Sequence, residues 1–557
     1  MSWQDRYEFY EREWERYEDL REWFEWEVPE RFNMAHYVCD RWAEDGDERV
    51  AFYAESASGE RRDLTFRDLR ARANRLANAL SAAGVERGDR VGVCLRQRPE
   101  AAVAHVAAWK LGAVSVPLST QFGEDALAYR LGDCRATACV VGEASVDTLR
   151  AVRPSLDALE ATVTVGTAAD QSAGETDWDD VRDRSPEFET EGTDAEEDAL
   201  IIYTSGTTGD PKGVLHAHRT LLGHLPSFAE NFLASGTEGT VFWTPVEWSW
   251  IGSLFSVVMP ALYYGRPVVA REAARFDPEE AFSLLERYEV TNLATPPTAL
   301  RMMMQVESPA DRYDLGAMRS VGAGGEPVGE SVGEWVAETF DAPLEEAYGQ
   351  TEANLVVGDC AALADPRPGM MGLPVPGHDV AIVDPQTAEA TVETGEVGEI
   401  AVRYEGNPVC FVEYWNEPER TAEKVRDGWL LTGDLGSMDE DGYVTFEGRT
   451  DDVILTSGYR VSPEEIEETL ASHEDVVAAG VVGIPDDERG EVPKAFVVAS
   501  GGRAATDLRS ALMDRVKQRL APYEYPREVE FLDELPTTST GKVRRESLRE
   551  REGAGGT

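Results

Sequence analysis

The sequence predicts an α/β protein of more than one domain, and three observations carry that reading. The chain has 557 residues, more than one hydrophobic core ordinarily serves. Helical and strand-like periods alternate along most of it. That alternation then gives way to a strand-rich stretch, and residues 451–557 leave room for one further small α/β domain.

Residues 1–30 read as an amphipathic arm of Trp, Tyr, Glu and Arg that packs against the body. Thr65 and Asp68 form a capping box, which opens a helix running to about Ala83. Leu69, Ala73, Leu76 and Leu80 give that helix one apolar face. A strand at Arg90–Leu95, a helix at Pro99–Leu111 and a strand at Val114–Pro117 follow. Residues 166–198, rich in Asp, Glu, Thr and Ser, read as an acidic connection, and Leu200 to Ile202 as a buried strand. Alternation resumes through Tyr348. Residues 373–448 change character, with short Val/Ile/Tyr runs between Gly and Pro turns, and read as a small β-rich subdomain. Gly448-Arg449-Thr450-Asp451-Asp452 marks the boundary between a large domain, 1–450, and a small one, 451–557. Beyond it, Ser462-Pro463-Glu464-Glu465 starts a helix: a Ser cap, Pro at the first position and acids at the positive end. No internal repeat is present.

Composition narrows the function. With 53 basic against 105 acidic residues the net charge is −52, which argues against a nucleic-acid partner. At 42% hydrophobic with 13 Trp, the chain is no disordered acidic tail. A fold this acidic repels itself at low salt, and at molar salt the Debye length of about 3 Å removes most of that repulsion. The expectation is a cytoplasmic protein adapted to a salt-rich interior. Cys39, Cys94, Cys134, Cys139, Cys360 and Cys410 form no CxxC pair and have no His at ligand spacing, so they read as reduced and structural. Met1 to Leu20 is charged and aromatic rather than a secretory segment. The longest apolar run, Ile251 to Tyr264, is too short to span a bilayer and contains Pro260.

The stretch with most chemistry is Tyr203-Thr204-Ser205-Gly206-Thr207-Thr208-Gly209-Asp210-Pro211-Lys212-Gly213-Val214. Glycines let the backbone turn so that N–H groups and hydroxyls converge on one anion, and Lys212 adds a mobile positive charge. That suits nucleotide phosphates better than a plain flexible loop. It is not the GxxxxGK[ST] loop, since Pro211 precedes Lys212 and Gly213 follows it. Five further stretches stand out: Gly324-Gly325-Glu326-Pro327, Tyr348-Gly349-Gln350-Thr351-Glu352, Thr432-Gly433-Asp434, Gly448-Arg449 with Asp451, and Thr540-Gly541-Lys542. Singly, each reads as a turn, a surface ion pair or a solvated tail. Together with the 203–214 loop, in this order and spacing, they resemble the acyl-adenylate-forming superfamily: acyl-CoA synthetases, luciferases and peptide-synthetase adenylation domains. The resemblance runs from about residue 30 to Lys542.

The resemblance implies a large N-terminal domain of two α/β subdomains plus a small β-barrel-like subdomain, followed by a small mobile C-terminal α+β domain. It implies ATP, Mg²⁺ and coenzyme A. Thr204, Ser205, Gly206, Thr207, Thr208, Gly209 and Lys212 would hold the β- and γ-phosphates. Gly325, Glu326 and Pro327 would line the adenine side, and Tyr348, with Gly349 and Gln350 beside it, would stack on the base. Thr351 would contact the α-phosphate and Glu352 would ligate Mg²⁺. Asp434 would accept hydrogen bonds from the ribose hydroxyls with Arg449 beside it, and Arg460 would reach a nucleotide phosphate. Lys542 matches the catalytic lysine of the first half-reaction, Asp451 the hinge, and Ser457 and Gly458 the pantetheine tunnel.

The chemistry agrees with these roles. A carboxylate attacking the α-phosphate as pyrophosphate leaves crowds negative charge in line, and Mg²⁺, Lys212 and Lys542 form the clamp this needs. In a chain with six lysines, two of them at these positions is informative. Two chemistries at one site imply two domain arrangements about Asp451. Members of the superfamily that take acetate carry a Trp where Gly349 sits, and larger residues at Gly324 and Gly252. Three glycines facing one pocket, with Trp248, Trp250 and Ile251 as walls, would lengthen it. Overall the chain most resembles medium-chain acyl-CoA synthetases, its aromatic, Tyr- and Glu-rich N-terminal arm included. Acetate, propionate, branched or aromatic acids remain alternatives, as does a free-standing enzyme that loads a carrier protein. The partners expected are the carboxylic acid, ATP and CoA, with a homodimer also in view.

Overall fold

The computed structural model describes every residue except 1, 45–47, 205–210, 234–235, 385–386, 389–391, 451, 453, 457–458, 462, 474, 487–489, 501–504, 521–524, 538–542 and 556–557. Backbone contacts divide the chain into two units. The first comprises Met1–Arg367, Gly372–Asp379 and Arg403–Gly428; the second comprises Pro368–Met371, Val380–Val402 and Trp429–Thr557. The strand-rich stretch 373–448 thus contributes to both.

The first unit begins its α/β alternation where the sequence places it. Helix α1, Phe66–Ala82, starts at the Thr65 cap, with Thr65 N donating to Asp68 Oδ2 at 3.0 Å and Asp68 N to Thr65 Oγ1 at 3.1 Å. Strand β1 (Arg90–Cys94), helix α2 (Pro99–Lys110) and strand β2 (Val114–Pro117) follow. All twelve residues of α2 are buried, as its Ala/Val-rich circumference requires. Lys110 is buried in it against Asp40 at 2.5 Å. Strand β3 (Asp198–Thr204) and strand β4 (Lys212–Ala217) form an antiparallel pair. They join β1, β2 and four further strands in an eight-stranded sheet whose central strands run parallel. Parallel strands are covered on both faces, which is why they read as continuous apolar runs.

A second sheet of nine strands is also parallel at its centre. Toward one edge it carries an antiparallel hairpin of strand β5 (Leu344–Gln350) and strand β6 (Asn354–Gly358), with Leu373–Pro374 paired outside it. Helix α3, Pro418–Lys424, is the last element of this unit used below.

The N-terminal arm packs as expected. Tyr7, Phe9, Tyr17, Leu20 and Phe24 are buried, Tyr17 Oη donates to Glu230 Oε1 at 2.8 Å, and Trp26 Nε1 donates to Gly377 O at 2.6 Å. The acidic connection is less bare than its composition suggests. Glu175–Asp177 adds an edge strand to the eight-stranded sheet, and Trp178–Arg182 forms a short helix, because Trp178 and Val181 supply apolar anchors that Asp and Ser cannot. All six cysteines are free and buried. Among the described residues no helix is long and apolar enough to cross a membrane.

In the second unit, Val380–Val383, Gly398–Arg403, Trp429–Met438 and Val444–Arg449 are neighbours in one sheet. Another sheet of five strands centres on the long antiparallel pair Val476–Asp486 and Gly490–Ala499. Its helices include Pro463–Ala471, at the position the Ser-Pro-Glu-Glu signal predicts, though the capping Ser462 lies outside the described residues. Arg545 ties this unit internally, to Asp452 at 2.9 Å and Glu467 at 2.7 Å.

Candidate active site

Two hairpins build the site in the first unit. In the β3–β4 hairpin Thr204 and Lys212 are cross-strand partners, so the ends of the Ser/Thr/Gly loop are held together by sheet pairing. In the β5–β6 hairpin Gln350 and Asn354 are partners, leaving Thr351, Glu352 and Ala353 as the turn. Asn354 closes that turn at φ 68°, a left-handed conformation asparagine tolerates. Its amide donates to Val409 O at 2.9 Å.

Glu352 is the centre of the cluster. It is 8% exposed, Tyr414 Oη donates to its Oε1 at 2.5 Å, and its carbonyl accepts from Phe411 N at 2.9 Å. Lys212 Nζ lies 5.1 Å from the Tyr414 ring centre, and Lys424 Nζ donates to Gln350 Oε1 at 3.0 Å. Burial pushes the Glu352 carboxyl up. The Lys424 ammonium, the Tyr414 hydroxyl, a backbone N–H and Lys212 outweigh that, so it stays below the ordinary carboxylate range. Buried His216, on β4, is taken down to about 3 by desolvation and is neutral.

The segment Gly325–Pro327, expected to line the adenine, offers a different signal. Thr298 Oγ1 donates to Glu326 Oε2 at 2.6 Å and Arg301 stands 3.5 Å from it, while the buried Glu326 Oε1 has no hydrogen-bond partner among the described residues. An orphaned carboxylate oxygen is costly unless a ligand donor meets it. Gly325 has φ +87°, which a side chain would strain. Arg301 also donates to Pro327 O at 3.0 Å. Tyr348 lies half-buried on β5. In the second unit Asp434 is 5% exposed and accepts from Arg449 Nη1 at 2.9 Å, the two being cross-strand partners. Arg460 falls on the strand Tyr459–Val461. Ser205, Gly206, Thr207, Thr208, Gly209, Asp451, Ser457, Gly458 and Lys542 lie outside the described residues.

The glycines differ from the expectation of three openings into one pocket. A Cβ on Gly349 would lie 1.9 Å from Asn354 O, and one on Gly324 would lie 2.2 Å from Ala347 O. At both positions the missing side chain makes room for neighbouring backbone. Gly252 alone of the three faces open space. Trp250 and Ile251 beside it are half-buried, and Trp248 is in the core.

Sequence reading missed several residues here. Lys424 and Tyr414 stand far from Glu352 in the chain, and only the shortage of lysine hinted at the first. Glu247 was also missed. Its carboxylate accepts from Ser119 Oγ at 2.6 Å, Thr120 N at 2.8 Å and Thr120 Oγ1 at 2.6 Å, tying the segment just before Trp250 to the loop after β2.

The donors present suit a magnesium ion that arrives on a nucleotide. Mg²⁺ is commonly bound by one or two carboxylates plus substrate phosphates, and Glu352 is one such carboxylate beside two ammonium groups. Among the described residues no group of three or more His, Cys, Asp or Glu could hold a metal alone.

Comparison with known proteins gives concordant likenesses. The profile of the AMP-binding enzymes matches residues 39–415, and that of the AMP-binding enzyme C-terminal domain matches residues 465–542. The chain is 33% identical over 551 residues to the mitochondrial acyl-coenzyme A synthetase ACSM3 of Mus musculus, covering 96% of this chain and 93% of that protein. It is 34% identical over 535 residues to the uncharacterized acyl-CoA ligase YtcI of Bacillus subtilis (strain 168), covering 94% and 97%. Among solved structures, the anthranilate CoA ligase AuaEII in complex with anthranoyl-AMP superposes with a TM-score of 0.85 at 27% identity, covering 95% of this chain and 98% of that one.

Proposed function

The chain belongs to the AMP-binding enzyme family, and from that membership we propose that it is an AMP-forming acyl-CoA synthetase. It joins a carboxylic acid to ATP as acyl-AMP with release of pyrophosphate, then passes the acyl group to the thiol of CoA with release of AMP. The observation that carries this reading is the Glu352 turn: a buried carboxylate bonded to Tyr414, with Lys212 and Lys424 around it. Such a cluster orients a polyphosphate and meets the charge that develops as pyrophosphate departs.

In this proposal the 203–214 loop holds the β- and γ-phosphates, and Thr351 steadies the α-phosphate. Gly325, Glu326 and Pro327 flank the adenine, whose amino group supplies the donor that Glu326 Oε1 lacks; Tyr348 stacks on the base. Asp434, oriented by Arg449, takes the ribose hydroxyls, and Arg460 reaches a phosphate. Lys542 brings its ammonium to the reacting oxygens, and Ser457 and Gly458 line the way for pantetheine. A large domain, 1–450, and a small one, 451–557, change arrangement about Asp451 between the steps. Magnesium held by Glu352 and the nucleotide would polarise the phosphoryl oxygens.

The substrate class we propose is medium-chain fatty acid, with Gly252 setting the depth of the acyl pocket. We also place the enzyme in the cytoplasm of a salt-rich cell, on the strength of its charge of −52. The test is CoA-dependent AMP release in molar KCl across carboxylic acids from acetate to decanoate, with benzoate and branched acids included. The outcome expected is a maximum at medium length. No acid-dependent pyrophosphate exchange with any of them would sink the synthetase reading. Exchange without AMP release to CoA would point to a carrier-loading enzyme.

A further inference from the structure

Lysine is scarce here, six among 53 basic residues, and it differs from arginine in bringing a compact, mobile charge. Of the five among the described residues, Lys110 is paired with Asp40, Lys494 with Glu528 and Glu530, and Lys517 lies over Tyr525. Lys212 and Lys424 both face the Glu352 turn. Lys424 is the last residue of α3, where the negative end of the helix favours a cation. The helix is tied to the same turn through Tyr414. Tyr414 N donates to Thr421 Oγ1 at 2.9 Å, and Tyr414 Oη donates to Glu352. The ammonium therefore stands on a fixed base, 3.0 Å from the neutral Gln350 carboxamide.

We infer that Lys424 is a phosphate-facing cation of the adenylation step, resting on Gln350 until the nucleotide arrives. The inference rests on the synthetase reading above. Charge decides the role. Beside Glu352 and Lys212, the Lys424 ammonium brings a second positive charge to bear on this turn. A magnesium-bound triphosphate is still anionic, and the attacking carboxylate adds to that charge. A hydrogen bond to a neutral amide is weaker than one to a phosphate oxygen, so Lys424 gains by moving from Gln350 to the ligand. An arginine in its place would carry a broader planar fork on a stiffer head.

The test compares Lys424→Met and Lys424→Arg with the wild type in molar KCl. Three quantities are read: kcat/KM for ATP in acid-dependent pyrophosphate exchange, the melting shift produced by a non-hydrolysable ATP analogue with Mg²⁺, and thioester formation from supplied acyl-adenylate. The expected result for Lys424→Met is a loss of about tenfold or more in exchange, a smaller melting shift and an unchanged thioester step, with Lys424→Arg recovering part of both losses. A Met variant with wild-type exchange and melting shift would overturn the inference. So would equal losses in both half-reactions, the mark of a merely structural residue. A wild type that exchanges no pyrophosphate with any acid would instead remove the synthetase reading, and the analogue's melting shift would then judge Lys424 alone.

Discussion

Gly349 shows how a residue legible in sequence acquires a different meaning in three dimensions. Its lack of a side chain reads as an opened acyl pocket, yet the absent Cβ would strike Asn354 O at 1.9 Å across the β5–β6 hairpin. A tryptophan there must first displace backbone, and such overpacking costs about 1–3 kcal/mol or more. Gly252 has open space instead. We predict that Gly252→Trp shifts the preferred acid toward shorter chains with little change in melting temperature, while Gly349→Trp lowers the melting temperature by several degrees. Each buried methylene adds about 0.8 kcal/mol, roughly fourfold in kcat/KM, until the pocket floor is met. Comparing kcat/KM from acetate to octanoate in both variants decides the matter. A Gly252→Trp enzyme with an unchanged chain-length profile would remove Gly252 from the acyl pocket.

At the scale of elements, the outer end of the β5–β6 hairpin gathers three buried acids: Glu230, Glu345 and Asp359. Glu230 accepts from Tyr17 of the N-terminal arm at 2.8 Å, Glu345 from Ser320 at 2.6 Å, and Asp359 from Glu346 N at 3.0 Å. Burial, with the Glu345 charge added, pushes the Asp359 carboxyl up to about 7, and burial raises the other two as well. The folded protein therefore keeps the Asp359 proton to about pH 7, whereas the unfolded chain releases it near pH 4. This group's contribution to stability is full below the unfolded value and is lost as pH rises through the folded one. Asp359→Asn keeps the acceptor for Glu346 N and removes the titration. Its melting temperature, relative to wild type at equal salt, is expected to climb between pH 5 and pH 8. A difference that stays constant over that range would contradict the assignment.

For the whole molecule the governing quantity is the charge of −52. Folding concentrates that charge, and screening by molar salt relieves it. Melting temperature and activity are both expected to rise between 50 mM and molar KCl, and full activity and an unchanged melting temperature at 50 mM would refute salt adaptation. Lysine scarcity belongs to the same scale, because arginine carries most of the positive charge.

The sequence by itself determined what depends on local period and short-range chemistry. The capped helix at Thr65, the alternation through Val114–Pro117, the buried strand at Leu200–Ile202 and the helix after Ser462 are all written in neighbouring residues, because propensity, capping and burial pattern act over a few positions. So were Glu352 and Lys212, which lie in compositionally distinctive stretches. Only the tertiary structure decided that Lys424 and Tyr414 meet Glu352, that Glu247 binds the loop after β2, and that Gly324 and Gly349 yield their space to backbone. Those relations join segments tens to hundreds of residues apart, and spacing along a chain carries no information about which distant side chains two hairpins bring into one volume.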